Sequence, residues 1–313
     1  MKILLTSTVI LVCAVIMAIA ATYPRYRGEM RAARDRLSAG STILKTDHGD
    51  VEYSVTGEGA AVLLLHGAGG GYDQGLWSGK MFLGQDDYKF ISVSRFGYLR
   101  SPILAHASLR TQASLYKALL DHLRVGRVIV VGVSAGGPSA TQFANDYPDR
   151  CRALILLSAV SMARSPGDKD PFFVGVIHLI QQSDYAYWVF TKLMQPVILD
   201  LMGIPTGVYR KFTPEQKGLA QEMLDIMQPM HPRYEGTIND GKMIQAEAVS
   251  TDMITSPTLI IHAKDDALVS FSHAENAHAR IKMSQLISFD SGGHAMLSQR
   301  DKVRDHVRAF LEN

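Results

Sequence analysis

The chain has 313 residues, 47% of them hydrophobic and 20% charged, with a formal net charge of +2. That composition describes a globular chain and excludes a disordered one, and so weak a field excludes the electrostatic footprint of a nucleic-acid binder. Two cysteines, Cys13 and Cys151, do not make a disulfide framework, and no Cys/His spacing suggests zinc or another metal.

First in chain order is an uncharged run, ILLTSTVILVCAVIMAIAAT, over residues 3–22. As a helix rising 1.5 Å per residue it spans about 30 Å, the thickness of a bilayer core. It exceeds the usual signal-peptide core of about 7–15 residues. Five arginines follow it, Arg25, Arg27, Arg31, Arg34 and Arg36, and such a cluster resists translocation. Residues 1–24 therefore read as a single-pass membrane anchor with the rest of the chain in the cytoplasm. The alternative is a secretory signal cleaved near AIA at 18–20, and export. Residues 25–41 read as a basic linker, helical or loose.

Residues 41–59 read as two strands around a turn at His48-Gly49. Apolar runs bounded by turn residues follow at 61–66, 89–94, 127–132 and 152–158, and later at 257–263 and 284–290. Several lack alternation, as strands covered on both faces should. Between them, Leu115, Leu119 and Leu123 recur at helical spacing behind Ser108, a candidate N-cap, and Val303, Val307, Phe310 and Leu311 mark a final helix. Strands alternating with helices imply a mostly parallel sheet covered on both faces. Residues 161–248 break the alternation. They are helix-prone and rich in large apolar groups, among them Phe172, Phe173, Tyr187, Trp188, Met202, Met223 and Met227, and read as a helical cap inserted into a core of 42–160 and 249–313. Each such residue taken singly is cap core; together they suggest an apolar pocket wall.

Chemistry concentrates at VIVVGVSAGGPSA, residues 128–140. G-x-S-x-G alone is a weak signal, but here it closes a buried strand and opens a helix, the context of a nucleophile elbow. Glycine at 132 and 136 clears the space where strand and helix pass closely. A serine hydroxyl needs a base to take its proton, and the base a carboxylate to orient it. KDDALVS follows the strand at 257–263 and SGGHAML follows the strand at 284–290, so Asp266 and His294 arrive after Ser134 in the order Ser, Asp, His. Asp265 is read as a solvated turn residue. Oxyanion donors are expected from the Ala135 amide and from the HGAGGG loop at 66–71, at Ala68 with Gly69 as the alternative. No Gly-Lys-Ser/Thr follows those glycines, which removes a phosphate loop. His66 is read as a structural hydrogen-bonding residue.

The segments LLLHGAGGG, GVSAGG, YPDRCRALILLS, IHAKDDALV and SGGHAML resemble the α/β-hydrolase family over roughly residues 42–160 and 250–313. The resemblance implies an eight-stranded sheet, a variable cap and a serine triad working without a cofactor. Three departures stand out. SRFGYLRS (94–101) has Ser94 where relatives often have Asp, and Leu99 where they often have Gly. Ala263 replaces a common glycine and Ser270 a common proline. Ser134 at the elbow excludes a nucleophilic aspartate. The expected activity is hydrolysis of carboxylic esters or related acyl substrates, with an apolar small molecule as partner. The rivals are carbon–carbon bond, lactone or amide hydrolysis by the same triad, and a non-catalytic ligand receptor on the same scaffold. Oligomeric state is not legible.

Overall fold

A computed structural model describes residues 2–85, 87–163, 171–246 and 249–312; within them the side chains of 2–6, 8–12, 14, 15 and 171–174, Phe172 and Phe173 included, are outside the description. The chain divides into two units, residues 1–39 and 40–313.

The first unit is a single helix, α1 (Lys2–Ala39), which continues through Pro24. Of the two forms open to residues 25–39, helical or loose, the helical one is present. Residues 25–39 are rich in Arg, Ala, Met, Leu and Glu, all good helix formers, and Arg25 pairs with Glu29 one turn on at 2.8 Å. Among the described residues no helix is long and apolar enough to cross a membrane. Most of the apolar run behind the anchor reading has its side chains outside the described residues.

The second unit is built on one eight-stranded sheet. Its strands are β1 (Thr42–Thr46), β2 (Gly49–Thr56), β3 (Ala60–Leu65), β4 (Tyr88–Val93), β5 (Val128–Val133), β6 (Cys151–Leu157), β7 (Thr258–Ala263) and β8 (Ser284–Phe289). Their order in space is β1-β2-β4-β3-β5-β6-β7-β8. The β1–β2 and β2–β4 pairings are antiparallel and all others parallel. Parallel strands need crossovers, and helices supply them on both faces. Alternation along each strand feeds two cores. Val62, Leu64, Ile129, Val131, Ile155 and Ile261 face one side, and Leu63, Leu65, Val128, Val130, Leu154 and Ile260 the other. Burying each such side chain stabilises by about 1.5–3 kcal/mol before chain entropy is charged against it.

The core helices are α2 (Tyr72–Phe82), α3 (Leu109–His122), α4 (Gly137–Asp146), α11 (Ser272–Arg280) and α12 (Arg300–Glu312). Ser108 caps α3 as expected, in a reciprocal box with Thr111. Between β6 and β7 the elements among the described residues are all helices: α5 (Pro171–Gln181), α6 (Asp184–Leu193), α7 (Gln195–Leu201), α8 (Thr206–Tyr209), α9 (Pro214–Ile226) and α10 (His231–Ala246). Leu99, where relatives often have glycine, sits at φ +53°, a left-handed conformation that costs a side-chain-bearing residue about 1–2 kcal/mol. Its amide donates to the Pro232 carbonyl at 2.9 Å, fixing the turn against the start of α10.

Candidate active site

Every candidate residue lies at the carboxyl ends of the parallel strands, the edge where crossovers leave a crevice. Ser134 follows β5 on a tight turn, Ser134–Gly136, that leads into α4. Its φ is +51°, so the hydroxyl is presented by a strained backbone. The glycines make that turn possible. A Cβ at Gly132 would lie 2.6 Å from the Ala140 Cβ, and one at Gly136 would strike the carbonyl oxygens of Leu65 and His66. The Val160 amide donates to the Ser134 carbonyl at 3.0 Å, tying the turn to the chain leaving β6.

The loops after β7 and β8 bring the other two groups to this point. His294 Nε2 lies 2.9 Å from Ser134 Oγ, and His294 Nδ1 lies 2.8 Å from Asp266 Oδ2. The Asp266 side chain is fully buried, and that of His294 is 13% exposed. Asp266 Oδ1 accepts from the Leu268 and Val269 amides at 2.9 and 3.0 Å. Burial opposes its ionisation, but the field of His294 and the hydrogen bonds from His262 and His294 prevail, holding the carboxyl well below the usual carboxylate range.

Two neighbours of this chain were not foreseen. His262 Nε2 stands 3.0 Å from Asp266 Oδ2 and 2.9 Å from the Val269 carbonyl. Both are acceptors, so Nε2 carries the proton, and Nδ1 is buried without a partner among the described residues. The signal was available: a histidine four residues before Asp266, at the inward end of an apolar strand. Asp265 is not the solvated turn residue that was expected. Its Oδ1 accepts from the Gly292 and Gly293 amides at 2.9 and 2.8 Å, so it shapes the loop that presents His294.

The HGAGGG loop is held from below and from the side. His66, fully buried, donates from Nδ1 to the Gly67 carbonyl at 2.7 Å and accepts at Nε2 from the Arg95 amide at 3.1 Å. Burial, then Arg95, push its pKa well below the ordinary value, so the ring is a neutral strut, as its sequence reading held. The Gly67 amide donates to Gln74 Oε1 at 3.0 Å and the Gly69 amide to Thr237 Oγ1 at 3.1 Å. Gly69, the alternative oxyanion donor, is thus committed to α10. Ala68 lines the cavity that Ser134 and His294 share, and Ala135 directly follows the serine.

Two buried arginine–carboxylate pairs, also unforeseen, fasten α10 around this loop. Arg95 Nη2 donates to Asp240 Oδ2 at 2.7 Å, its Nε to the His66 carbonyl at 2.8 Å, and the Tyr98 hydroxyl to the same Asp240 oxygen at 2.6 Å. Arg233 grips Asp73 of α2 with both terminal nitrogens at 2.9 and 2.8 Å. The partners are 145 and 160 residues apart in sequence, beyond the reach of any local pattern.

Two small chambers meet at Ala68, Met202 and Leu268. One, of about 90 Å³, is lined by Ser134 and His294 together with Trp77, Phe82, Leu157 and Met223. The other, of about 140 Å³, lies under the helical insertion, against Ile177, Gln181, Tyr187 and Met227. Among the described residues no cluster of three or more His, Cys, Asp or Glu side chains could hold a metal ion.

A family model described as the alpha/beta hydrolase fold matches residues 60–301. An uncharacterized hydrolase of Bacillus subtilis is 32% identical over 258 residues, covering 79% of this chain and 89% of the relative. An alpha/beta hydrolase fold protein from Nakamurella multipartita superposes with a TM-score of 0.72 at 28% identity, over 87% of this chain and 99% of that one. An esterase from Exiguobacterium antarcticum gives a TM-score of 0.64 at 25% identity, again over 87% and 99%.

Proposed function

The chain belongs to the alpha/beta hydrolase fold family and is a hydrolase, and we propose that it cleaves carboxylic esters through an acyl-enzyme on Ser134. One observation carries the proposal: the unbroken hydrogen-bond chain from Ser134 Oγ through His294 to Asp266, at 2.9 and 2.8 Å. A hydroxyl, a base and a buried carboxylate in that order convert an alcohol into a nucleophile. Likeness to an esterase and the small apolar chambers beside Ser134 support an ester substrate.

In this reading Ser134 Oγ attacks the ester carbonyl while His294 Nε2 takes its proton. The oxyanion that develops is met by the amides of Ala135 and Ala68; losing one such donor typically costs about 10²–10³ in rate. His294 returns the proton to the leaving alkoxide, and the alcohol departs. Water, deprotonated by the same imidazole, then attacks the acyl-enzyme and frees Ser134. Asp266 keeps the proton on Nδ1 and stabilises the imidazolium while it exists. The residues do this without a cofactor.

Labelling with a fluorophosphonate probe tests the role of Ser134. Wild type takes up label and Ser134→Ala does not; equal labelling of both removes Ser134 from the chemistry. A panel of short and long acyl esters tests the substrate. Amide, lactone or carbon–carbon substrates turned over in place of esters would move the reaction class. Thermal stabilisation by ligand without turnover would make the protein a receptor.

Attachment to a membrane through residues 3–22, with the second unit cytoplasmic, is a separate proposal resting on the charge-free run and the arginines after it. Retention in the membrane fraction through a carbonate wash is the expected result. A soluble, N-terminally shortened product would indicate signal cleavage instead.

A further inference from the structure

The chamber under the insertion is walled mainly by Ile177, Ile180, Ile198, Met202 and Met227. Its volume of about 140 Å³ is close to that of an engineered apolar cavity of about 150 Å³ that admits benzene, so it takes about six non-hydrogen atoms. Four polar side chains also reach it. The Tyr187 hydroxyl donates to the Leu224 carbonyl at 3.2 Å. Thr237 Oγ1 accepts from Gly69 and donates to the Arg233 carbonyl at 3.2 Å. His178 sets its ring edge-on to Tyr234. Gln181, the last residue of α5, is 6% exposed, and its Oε1 is buried with no partner among the described residues. The carboxamide lies over the oxyanion loop: a Cβ at Gly69 would be 3.3 Å from Gln181 Nε2.

A buried polar atom without a partner is costly, and a ligand group that pairs it recovers the cost. The reaction geometry says which part of an ester meets it. The leaving oxygen must receive its proton from His294 Nε2, so the alcohol portion occupies the chamber that His294 lines. The acyl portion then runs past Ala68 into the chamber that holds Gln181. A charged acyl substituent would be stripped of water against these apolar walls. A hydroxyl is neutral, and because it both donates and accepts, it satisfies a carboxamide in either orientation.

We propose that Gln181 is a specificity-determining residue that hydrogen-bonds a hydroxyl on the acyl chain, making short hydroxyacyl esters the substrate class. This rests on the assignment of Ser134 as nucleophile. The test compares ethyl 3-hydroxybutyrate with ethyl butyrate on the full chain. For wild type, kcat/KM favours the hydroxy ester by about tenfold or more, and in Gln181→Leu that ratio falls to within about twofold, the scale expected for one buried hydrogen bond. Gln181→Met carries the same comparison should the leucine variant not fold. In parallel, the affinities of both esters are measured by calorimetry on Ser134→Ala, with and without Gln181→Leu. Tighter binding of the hydroxy ester that depends on Gln181 is the expected result. Equal affinities for Ser134→Ala overturn the proposal whatever the turnover. Hydroxyl-dependent binding together with undiminished turnover in Ser134→Ala would keep Gln181 in its role and overturn that of Ser134.

Discussion

Replacing Asp240 by asparagine asks whether buried charge, and not shape alone, fastens α10 to the sheet. The side chains of Arg95 and Asp240 are 1% and 4% exposed. Burial disfavours the Arg95 charge, but the carboxylate more than compensates and holds the guanidinium charged. Asp240→Asn keeps the shape and removes that compensation. Breaking one partner of a buried pair costs about 3–5 kcal/mol, because the remaining charge is left uncompensated. At about 2.1 cal/mol/K per residue, the unfolding entropy of 313 residues is about 660 cal/mol/K, so each kcal/mol shifts the midpoint by about 1.5 °C. A fall in Tm of about 5–8 °C is therefore expected by scanning calorimetry. The double variant Arg95→Met/Asp240→Leu recovers part of the loss, since apolar replacement of a whole buried pair is often neutral. It does not recover all of it, because the His66 carbonyl loses its Arg95 Nε donor. A Tm for Asp240→Asn within about 2 °C of wild type would refute the argument.

Three further outcomes follow from the site. Asp265→Ala frees the Gly292 and Gly293 amides and lowers kcat/KM for the best ester about tenfold through misplacement of His294, whereas Asp265→Asn, which keeps an acceptor oxygen, restores most of it; equal loss in both variants would point to charge instead of loop shape. His262→Phe removes a donor from Asp266 Oδ2 and, at the value of a hydrogen bond to a charged group, lowers kcat by about 10–100-fold, while a kcat within twofold of wild type would make His262 a packing residue only. His66 is buried neutral, with its pKa pushed down by burial first and Arg95 second. Below the unfolded value of about 6.5 the unfolded chain binds the proton and the folded one does not, so stability is full above that pH and falls by about 1.4 kcal/mol per unit beneath it. Urea unfolding at pH 7.5 and 5.5 measures this, and the same slope in His66→Gln would assign it to another group.

The central strands were legible because their apolar runs are continuous and bounded by turn residues. The run read at 61–66 is the strand Ala60–Leu65, and the run read at 152–158 is Cys151–Leu157. Ser134, Asp266 and His294 could be singled out for a local reason as well: Ser134 directly follows β5, and the other two lie in the short loops that leave β7 and β8. α2 was not legible, because Gly75 and Gly79 lower its helix propensity by about 1 kcal/mol each. The same glycines let it lie against the sheet, since a Cβ at Gly79 would come within 2.7 Å of Leu64 Cδ1. Here packing overrides propensity, and sequence pattern registers only the propensity.

The hidden part of the site's scaffold has another physical cause: it is made by contacts between distant segments. α10 contributes Thr237 to the Gly69 amide, Asp240 to Arg95, and Arg233 to Asp73. These three contacts surround one loop, His66 to Gly71, from which the proposed Ala68 donor comes. Arg95 meets that loop a second time, through the His66 carbonyl and ring. A helix of the insertion is thereby rigidly joined to the backbone on which oxyanion geometry depends. Displacement of α10 would move the donor as well as the chamber wall. Substitutions in α10 that never touch a substrate are therefore expected to lower kcat together with stability, while those confined to the walls at Ile177 or Met227 act on substrate choice.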